Sequence, residues 1–508
     1  MAVVIDGNSL TIDEVIRVAG NREKVELSEE AQRKVKKARD YVDKKLKEGA
    51  IIYGITTGFG KFSDTLISKE EACDLQRNLI VSHACAMGNP LPMKIVRAAM
   101  LLRCNALARG NSGISAETLG TLIGMLNAGV HPVIPEKGSL GASGDLAPLA
   151  HMVLPMIGEG KAEHNGNILP GSEAMKNAGI PVIELAAKEG LALINGTPIM
   201  AAIGLCALRG AMDLAKLADI TAAMTAEALQ GITKAYDAKV HTVRNQKGQQ
   251  ETACNLRTIL EGSKNAGREN PHKLQDPYSL RCVPQVHGAS RDAISYVLEI
   301  VNRELNAVTD NPLIFPDEDE VISGGNFHGQ PLALAFDFLK IALSEYADIS
   351  ERRIERLVNP DLSEGLAAFL TKHGGICSGF MITQYSAASM VSENKIYAHP
   401  ASVDSIPSSG NHEDHVSMGT TAARTAAMIL DNTQKVLGIE LFAASQAIWL
   451  RGEKGLSKAT QAAYDYIRKS VDPVDRDIVM HDELVKFDEM IKSGDIIRIV
   501  EEVTGELN

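Results

Sequence analysis

From Glu413 to Arg451 the chain runs 39 residues without a proline. As a single helix that span is about 58 Å at 1.5 Å per residue. A rod of that length, rich in alanine, cannot cover its own apolar stripe inside a small domain and needs other helices beside it. Candidates are present. Thr197 to Leu229 is apolar on a 3.6-residue pattern, Val286 to Val308 follows, and Pro331 opens a further helix that ends near Pro360. Aromatic residues are only 4% of the chain, so such a core is packed with aliphatic side chains. Coiled-coil rods would pattern similarly, but the frequent Gly-rich breaks argue for a bundle.

The first part of the chain reads differently. Thr11-Ile12-Asp13-Glu14 is a capping box for a short helix that stops near Gly20, and Ser28 caps a charged helix to about Gly49. Lys94 to Gly110 and Ser115 to Gly129 read as two more helices. Strand signal is sparse: Ala2 to Ile5, Lys161 to Ile168 around an Asn165-Gly166 turn, and Leu313 to Ile322. The expectation is a mainly α protein with an N-terminal helical domain over 1–195, with few short strands, and a long C-terminal helical bundle over 196–508. Asn195-Gly196-Thr197, at that boundary, is itself a site candidate. The glycine clusters at 138–144, 324–329 and 374–379 interleave polar or aromatic residues and read as site loops rather than linkers.

A net charge of -12 speaks against nucleic acid or an anionic membrane as partner. The N-terminus lacks a basic segment followed by an apolar run, and no stretch reaches the roughly 18 uninterrupted apolar residues of a membrane span. Seven scattered cysteines without a Cys-x-x-Cys pair fit a reduced, cytoplasmic chain. His412-Glu413-Asp414-His415 has the composition of a metal site. Its histidines are three apart, however, not four as in His-Glu-x-x-His, and a third ligand is missing, so no metal is expected.

The chemistry sits in Gly141-Ala142-Ser143-Gly144-Asp145. Taken bare, Ala-Ser-Gly is a Gly-rich turn before a helix. It can also become an electrophile. The Gly144 nitrogen, unobstructed by a Cβ, attacks the Ala142 carbonyl carbon and closes a five-membered ring. Loss of water, then loss of the Ser143 hydroxyl as a second water, leaves an exocyclic methylidene.

The flanks favour the second reading. The string from Val133 to His151 resembles the cofactor-forming loop of the histidine and aromatic amino acid ammonia-lyases, in which the ring is 4-methylidene-imidazol-5-one (MIO). The resemblance recurs in order at Tyr53-Gly54-Ile55-Thr56-Thr57-Gly58-Phe59-Gly60, Ser82-His83, Asn195-Gly196-Thr197, Gln275 to Arg281, Gly324 to Gly329, and Asn411 to His415. It implies a fumarase/aspartase-like helical architecture, a homotetramer, MIO made from Ala142, Ser143 and Gly144 with no external cofactor, and a small-molecule amino acid substrate.

In that family the methylidene binds the substrate amine and makes it a leaving group, while a base takes the β-proton. The resemblance assigns the base to Tyr53, whose phenol needs neighbouring positive charge or hydrogen-bond donors for the task. On its own Tyr53 reads as a buried core tyrosine next to a Gly turn. Asp276-Pro277 reads as a cap and first helical residue, so Tyr278 and Arg281 share one face of a short helix. Read alone, Arg281 is a solvated surface residue. The resemblance places Gln275, Tyr278 and Arg281 in the pocket together, with Arg281 as a planar fork for the substrate carboxylate. Asn195 then binds the ring carbonyl or that carboxylate. Phe327 walls the cofactor, although alone it reads as core. His83 and Glu413 match the histidine-type pocket, implying deamination of L-histidine to trans-urocanate. The alternative is a tyrosine or phenylalanine ammonia-lyase, or an aminomutase of the same family. His412 departs from the glutamine usual before that glutamate. A fumarase-like lyase without an internal cofactor, or a non-enzymatic helical scaffold, leaves these motifs unexplained.

Overall fold

The computed structural model describes residues 2–58, 67, 71–267 and 273–508. Phe59 and Gly60 of the Tyr53 string lie outside the described residues. The protein is mainly α-helical with short strands, as expected.

The chain divides into two compact units. The first is Met1–Cys206 with Leu298–Asp337 and Pro400–Arg424, and the second is Ala207–Val297, Phe338–His399 and Thr425–Asn508. The sequence suggested one boundary between 195 and 196. The first unit instead also takes in two later segments, which no composition shift marks because they pair with the N-terminal part only through tertiary contacts.

In the first unit, Thr11 and Glu14 close the capping box that starts helix Ile12–Asn21. Ser28 caps Glu29–Glu48, which ends on Gly49 in the left-handed region. The strand Val3–Ile5 pairs in parallel with Val25–Leu27, and Lys161–His164 forms a hairpin with Asn167–Pro170. Leu313–Phe315 pairs with Glu320–Ile322. The buried helix Met93–Ala108 runs through this unit. Ala38, Tyr41 and Val42 pack with Ile55 and Ile314 in one apolar cluster, which anchors the turn after Tyr53.

The second unit is built from long helices around buried charge. Arg353 donates to Glu440 at 2.5 and 2.8 Å, and Thr225 and Ser350 each donate to the same carboxylate at 2.6 Å. Ala347, Ile354, Ala387, Val436 and Ile439 pack together as a buried apolar core cluster of this unit. By length and hydropathy alone, Pro198–Ala228 passes as a membrane span, but 72% of its apolar window is buried inside the protein. It is a core helix.

The long run from Glu413 is not helical from its start. The helix is Gly419–Leu450, 32 residues. Ser417 and Met418 instead donate their backbone N–H groups to the carbonyls of Gly141 and Leu140, at 3.4 and 3.1 Å. Docking on the 138–145 loop, with Met418 at φ 56°, keeps residues 413–418 out of the helix.

Candidate active site

The Ala142-Ser143-Gly144 loop is clasped to the Asn195-Gly196-Thr197 turn. Asp145 N–H donates to the Gly196 carbonyl at 2.7 Å, and Gly196 N–H donates to the Ser143 carbonyl at 3.3 Å. Gly144 has φ +77°, and a Cβ there would lie 1.9 Å from the Gly196 oxygen. Gly196 has φ +137°, and its Cβ would meet the Thr309 carbonyl at 2.1 Å. Both positions therefore need glycine, for backbone angle and for space.

Asp145 is completely buried beneath the loop. Its carboxylate accepts from the N–H groups of Ile199 and Met200, each at 2.9 Å, in the first turn of helix Pro198–Ala228. The Ser139 and Thr420 hydroxyls donate to it at 2.8 and 2.5 Å. Burial raises the pKa of this carboxyl, and the donors hold it back only in part. The helix N-terminus is the natural place for such a group.

Behind the turn lies Arg103, also fully buried. Its guanidinium donates to the carbonyls of Asn195 at 2.8 Å and Thr309 at 3.1 Å, and to that of Ala192. Nearby, Lys188 and Asp310 form a buried ion pair at 2.8 Å. Asn195 Nδ2 donates to the Ser143 carbonyl at 3.2 Å, while its buried Oδ1 has no hydrogen-bond partner among the described residues. An unpaired buried acceptor is costly, so it marks a place where a ligand donor belongs.

Six of the expected residues line one cavity of about 1150 Å³: Tyr53, His83, Ser143, Asn195, Phe327 and Glu413. Tyr53 stands at the start of a tight turn fixed by Gly54 N–H donating to Thr57 Oγ1 at 3.1 Å. His83 ends helix Ala72–His83, with its Nδ1 3.1 Å from Ser82 Oγ. Burial lowers the imidazole pKa of His83, against an opposing pull from the Leu79 backbone bond and the Glu413 charge. Glu413 Oε1 accepts from Ser143 Oγ at 2.6 Å, and Oε2 accepts from Ser408 Oγ at 2.9 Å. His412 lines the cavity as well, whereas His415 stacks on His328 with ring centroids 5.8 Å apart. The two histidines of the 412–415 string thus have separate surroundings.

Gln275, Tyr278 and Arg281 belong to the second unit, and none of them lines this cavity. Arg281 lies over the Tyr278 ring at 4.6 Å, so the two do share a face, and Tyr278 is 71% exposed. Asp276 is not the helix cap that the sequence suggested. Its carboxylate instead accepts from Ile232 N–H at 2.5 Å and pairs with Lys273 at 2.8 Å, while Pro277 occupies the cap position without a side-chain bond. A tertiary backbone donor and a lysine outcompete the local one.

The motifs did not single out Arg103 or Ser408. Two arginines inside the apolar run Met93–Ala108 were the available signal for Arg103, since a charge in a buried helix must find partners. Nothing local marks Ser408, which a bridge of the folded backbone brings beside Glu413 so that its hydroxyl reaches the carboxylate.

A model of the aromatic amino acid lyase family matches residues 10–469. The chain belongs to the aromatic amino acid lyase family. It is 59% identical over 505 residues to histidine ammonia-lyase of Alkaliphilus metalliredigens, covering 99% of each chain. The crystal structure of histidine ammonia-lyase from Trypanosoma cruzi superposes with a TM-score of 0.93 at 42% identity, over 100% of this chain and 96% of that one. Tyrosine aminomutase from Streptomyces globisporus superposes with a TM-score of 0.95 at 36% identity, over 100% of both. These similarities run the length of the chain, so they cover both compact units and every motif above.

Proposed function

We propose that this family member removes ammonia from L-histidine to give trans-urocanate, using an MIO group formed from Ala142, Ser143 and Gly144. The observation that carries the reading is the Ser143 hydroxyl. It faces a cavity shared with Tyr53, His83, Asn195, Phe327 and Glu413, on a loop whose Gly144 position has no room for a Cβ. The fit to the group is good at both ends: glycine at 144 leaves the attacking nitrogen unhindered, and the serine oxygen has an acceptor on its open side.

Once formed, the group supplies an electrophilic methylidene that holds the substrate amine and lets it leave as ammonia. The chain's own residues do the rest. Tyr53 takes the β-proton on its phenolic oxygen. Glu413 and His83 hold the two imidazole nitrogens, and Asn195 donates its Nδ2 to the Ser143 carbonyl, which becomes the ring carbonyl, leaving its unpartnered Oδ1 for a donor on the ligand. Phe327 closes one wall against water. Arg281 binds the carboxylate as a planar fork, with Gln275 and Tyr278 beside it. Those three are carried by the second unit, and we place them in the cavity of a neighbouring subunit of a homotetramer, as the family resemblance implies. The exposed Tyr278 ring supports that arrangement. All seven cysteines are free thiols, in keeping with a cytoplasmic enzyme.

The test is direct. The protein is incubated separately with L-histidine, L-tyrosine and L-phenylalanine, and ammonia, conjugated acrylate and β-amino acid are measured. Urocanate from histidine in excess of all other products is expected. Cinnamate, coumarate or a β-amino acid as the main product overturns the substrate assignment.

A further inference from the structure

We infer that Glu413 is the acid that carries the Ser143 hydroxyl away as water when the Ala142-Ser143-Gly144 loop matures. This rests on the proposed reading that the loop cyclises, and it gives Glu413 a task completed before any substrate arrives.

The geometry is aimed at the leaving group. Ser143 Oγ and Glu413 Oε1 are 2.6 Å apart, although 270 positions separate them in sequence. That spacing is typical of an O–H···O⁻ bond with one charged partner, across which a proton passes readily. The carboxyl is fixed from behind. Ser408 Oγ donates to Oε2 at 2.9 Å. The two residues also exchange backbone bonds, Ser408 N–H to the Glu413 carbonyl at 2.9 Å and Glu413 N–H to the Ser408 carbonyl at 3.3 Å. A side chain needed only to read a substrate ring has no reason to be locked onto a serine.

The other side of the same residue is prepared as well. The Ser143 carbonyl accepts from Gly196 N–H at 3.3 Å and from Asn195 Nδ2 at 3.2 Å. Two donors on that oxygen stabilise negative charge that develops when the neighbouring Cα–H bond breaks. One residue thus has its carbonyl polarised and its hydroxyl held by a carboxyl group, the two requirements of an elimination.

The step balances without oxidant or reductant. The Gly144 nitrogen gives up its proton and bonds to the Ala142 carbonyl carbon, and that carbonyl oxygen leaves as the first water with this proton and the Ser143 N–H proton, whose electron pair forms a C=N bond to the Ala142 carbon. The Ser143 Cα proton then passes to solvent, and its electron pair becomes the Cα=Cβ double bond. The Cβ–Oγ bond breaks with its pair on oxygen. Glu413 passes a proton taken up from solvent to that oxygen, the second water departs, and the carboxylate is left as it began. Ser408 acts only through Glu413 and is a positioning residue.

The experiment reads mass rather than turnover. Full-length wild type, Glu413→Gln, Glu413→Asp and Ser408→Ala are purified, and the tryptic peptide 138–161 is weighed over several days, with and without a small thiol. Wild type is expected to lack two waters. Glu413→Gln keeps the hydrogen bond but has no proton to deliver. It is expected to stop at one water lost, with no thiol addition, and to lose the second about 100-fold more slowly. Glu413→Asp restores part of the second loss. Ser408→Ala, which keeps the carboxyl but frees it, slows that loss about tenfold, so the inference stays testable even where Glu413→Gln does not fold. A full two-water deficit in Glu413→Gln or an undelayed one in Ser408→Ala overturns the inference and leaves the proposed function standing. Glu413→Gln at full sequence mass also overturns it, since ring closure itself would then depend on Glu413. Active wild type at full sequence mass removes the proposed function and this inference together.

Discussion

Asp145 and Asp219 are both buried carboxylates, one under the site loop and one in the helical second unit. Burial pushes both upward, yet they end on opposite sides of the ordinary aspartate range. Asp145 stays raised, because its partners are only hydroxyls and the amides of a helix N-terminus. Asp219 ends lowered. Arg291 donates to it at 2.6 Å, and His287 Nδ1 and Asn255 add bonds at 2.7 and 2.9 Å, which together outweigh burial. Burial keeps His287 below its usual range, so it serves as a neutral donor while Arg291 carries the charge. The second unit thus spends its buried charge on fixing helices. Beneath the site loop, hydroxyl and amide dipoles hold the Asp145 carboxyl with no cation in contact among the described residues, and the loop above retains positive φ angles and an unpaired Asn195 oxygen.

The contrast predicts that substitutions at the loop change chemistry while those in the bundle change stability. The largest effect is expected at Ser143→Ala. The variant should fold, show the full sequence mass and lose at least about 1000-fold in turnover, on the order of 4 kcal/mol. Retained activity breaks the comparison at its first term. Asp219→Asn comes next. Removing one partner of a buried pair costs about 3–5 kcal/mol, read as a lower urea midpoint, while the molecules that still fold keep the two-water deficit. Loss of the deficit there would show that the regions are not separable.

The catalytic candidates test the limit of that division, since Glu413 belongs to the loop unit but Arg281, expected to act on substrate, belongs to the bundle unit. Arg281→Ala is expected to lower kcat/KM about 10- to 100-fold for every amino acid tested, as loss of a charge-assisted bond to a shared carboxylate requires. Glu413→Gln should lower turnover of histidine selectively, after correction for the matured fraction measured by mass. Equal losses on all substrates would remove Glu413 from ring recognition.

Acid titration gives a smaller effect with a definite sign. The carboxyl of Asp219 is depressed in the fold, so the stability it contributes is present above about pH 3.9 and is lost as pH falls through its folded value. Asp145 is raised, so its contribution is fully present below about pH 3.9 and declines as pH rises through its folded value. The stability gap between wild type and Asp219→Asn should therefore close in acid, whereas that between wild type and Asp145→Asn should shift in the variant's favour with rising pH. Urea denaturation at several pH values reads both. The smallest change is expected for His412→Gln, which should keep histidine turnover within about threefold, since it restores at a cavity-lining position the glutamine usual in the family. A switch of preferred substrate would refute the histidine assignment.

Much of this was legible in the residues. The capping box at Thr11, the Ser28 and Ser115 caps, the long helices and the Asn165-Gly166 hairpin all formed where local chemistry called for them. Six site candidates separated by hundreds of residues meet at one cavity. Where local signals failed, a tertiary partner had prevailed. Asp276 left its own helix to hold Ile232 and Lys273, and the helix expected from Glu413 began only at Gly419 because the preceding residues dock on the loop.

The sequence by itself determined the helical class, the family resemblance and the tripeptide able to become an electrophile, because periodicity, caps and the Ala-Ser-Gly chemistry are properties of neighbouring residues. Only the tertiary structure decided which groups act on that tripeptide. The clasp of Gly144 by Gly196, the buried guanidinium of Arg103 behind Asn195, and the approach of Glu413 to Ser143 all join residues far apart in the chain. Hydrogen bonds of about 3 Å depend on where two backbones pass each other, and no local pattern records that distance.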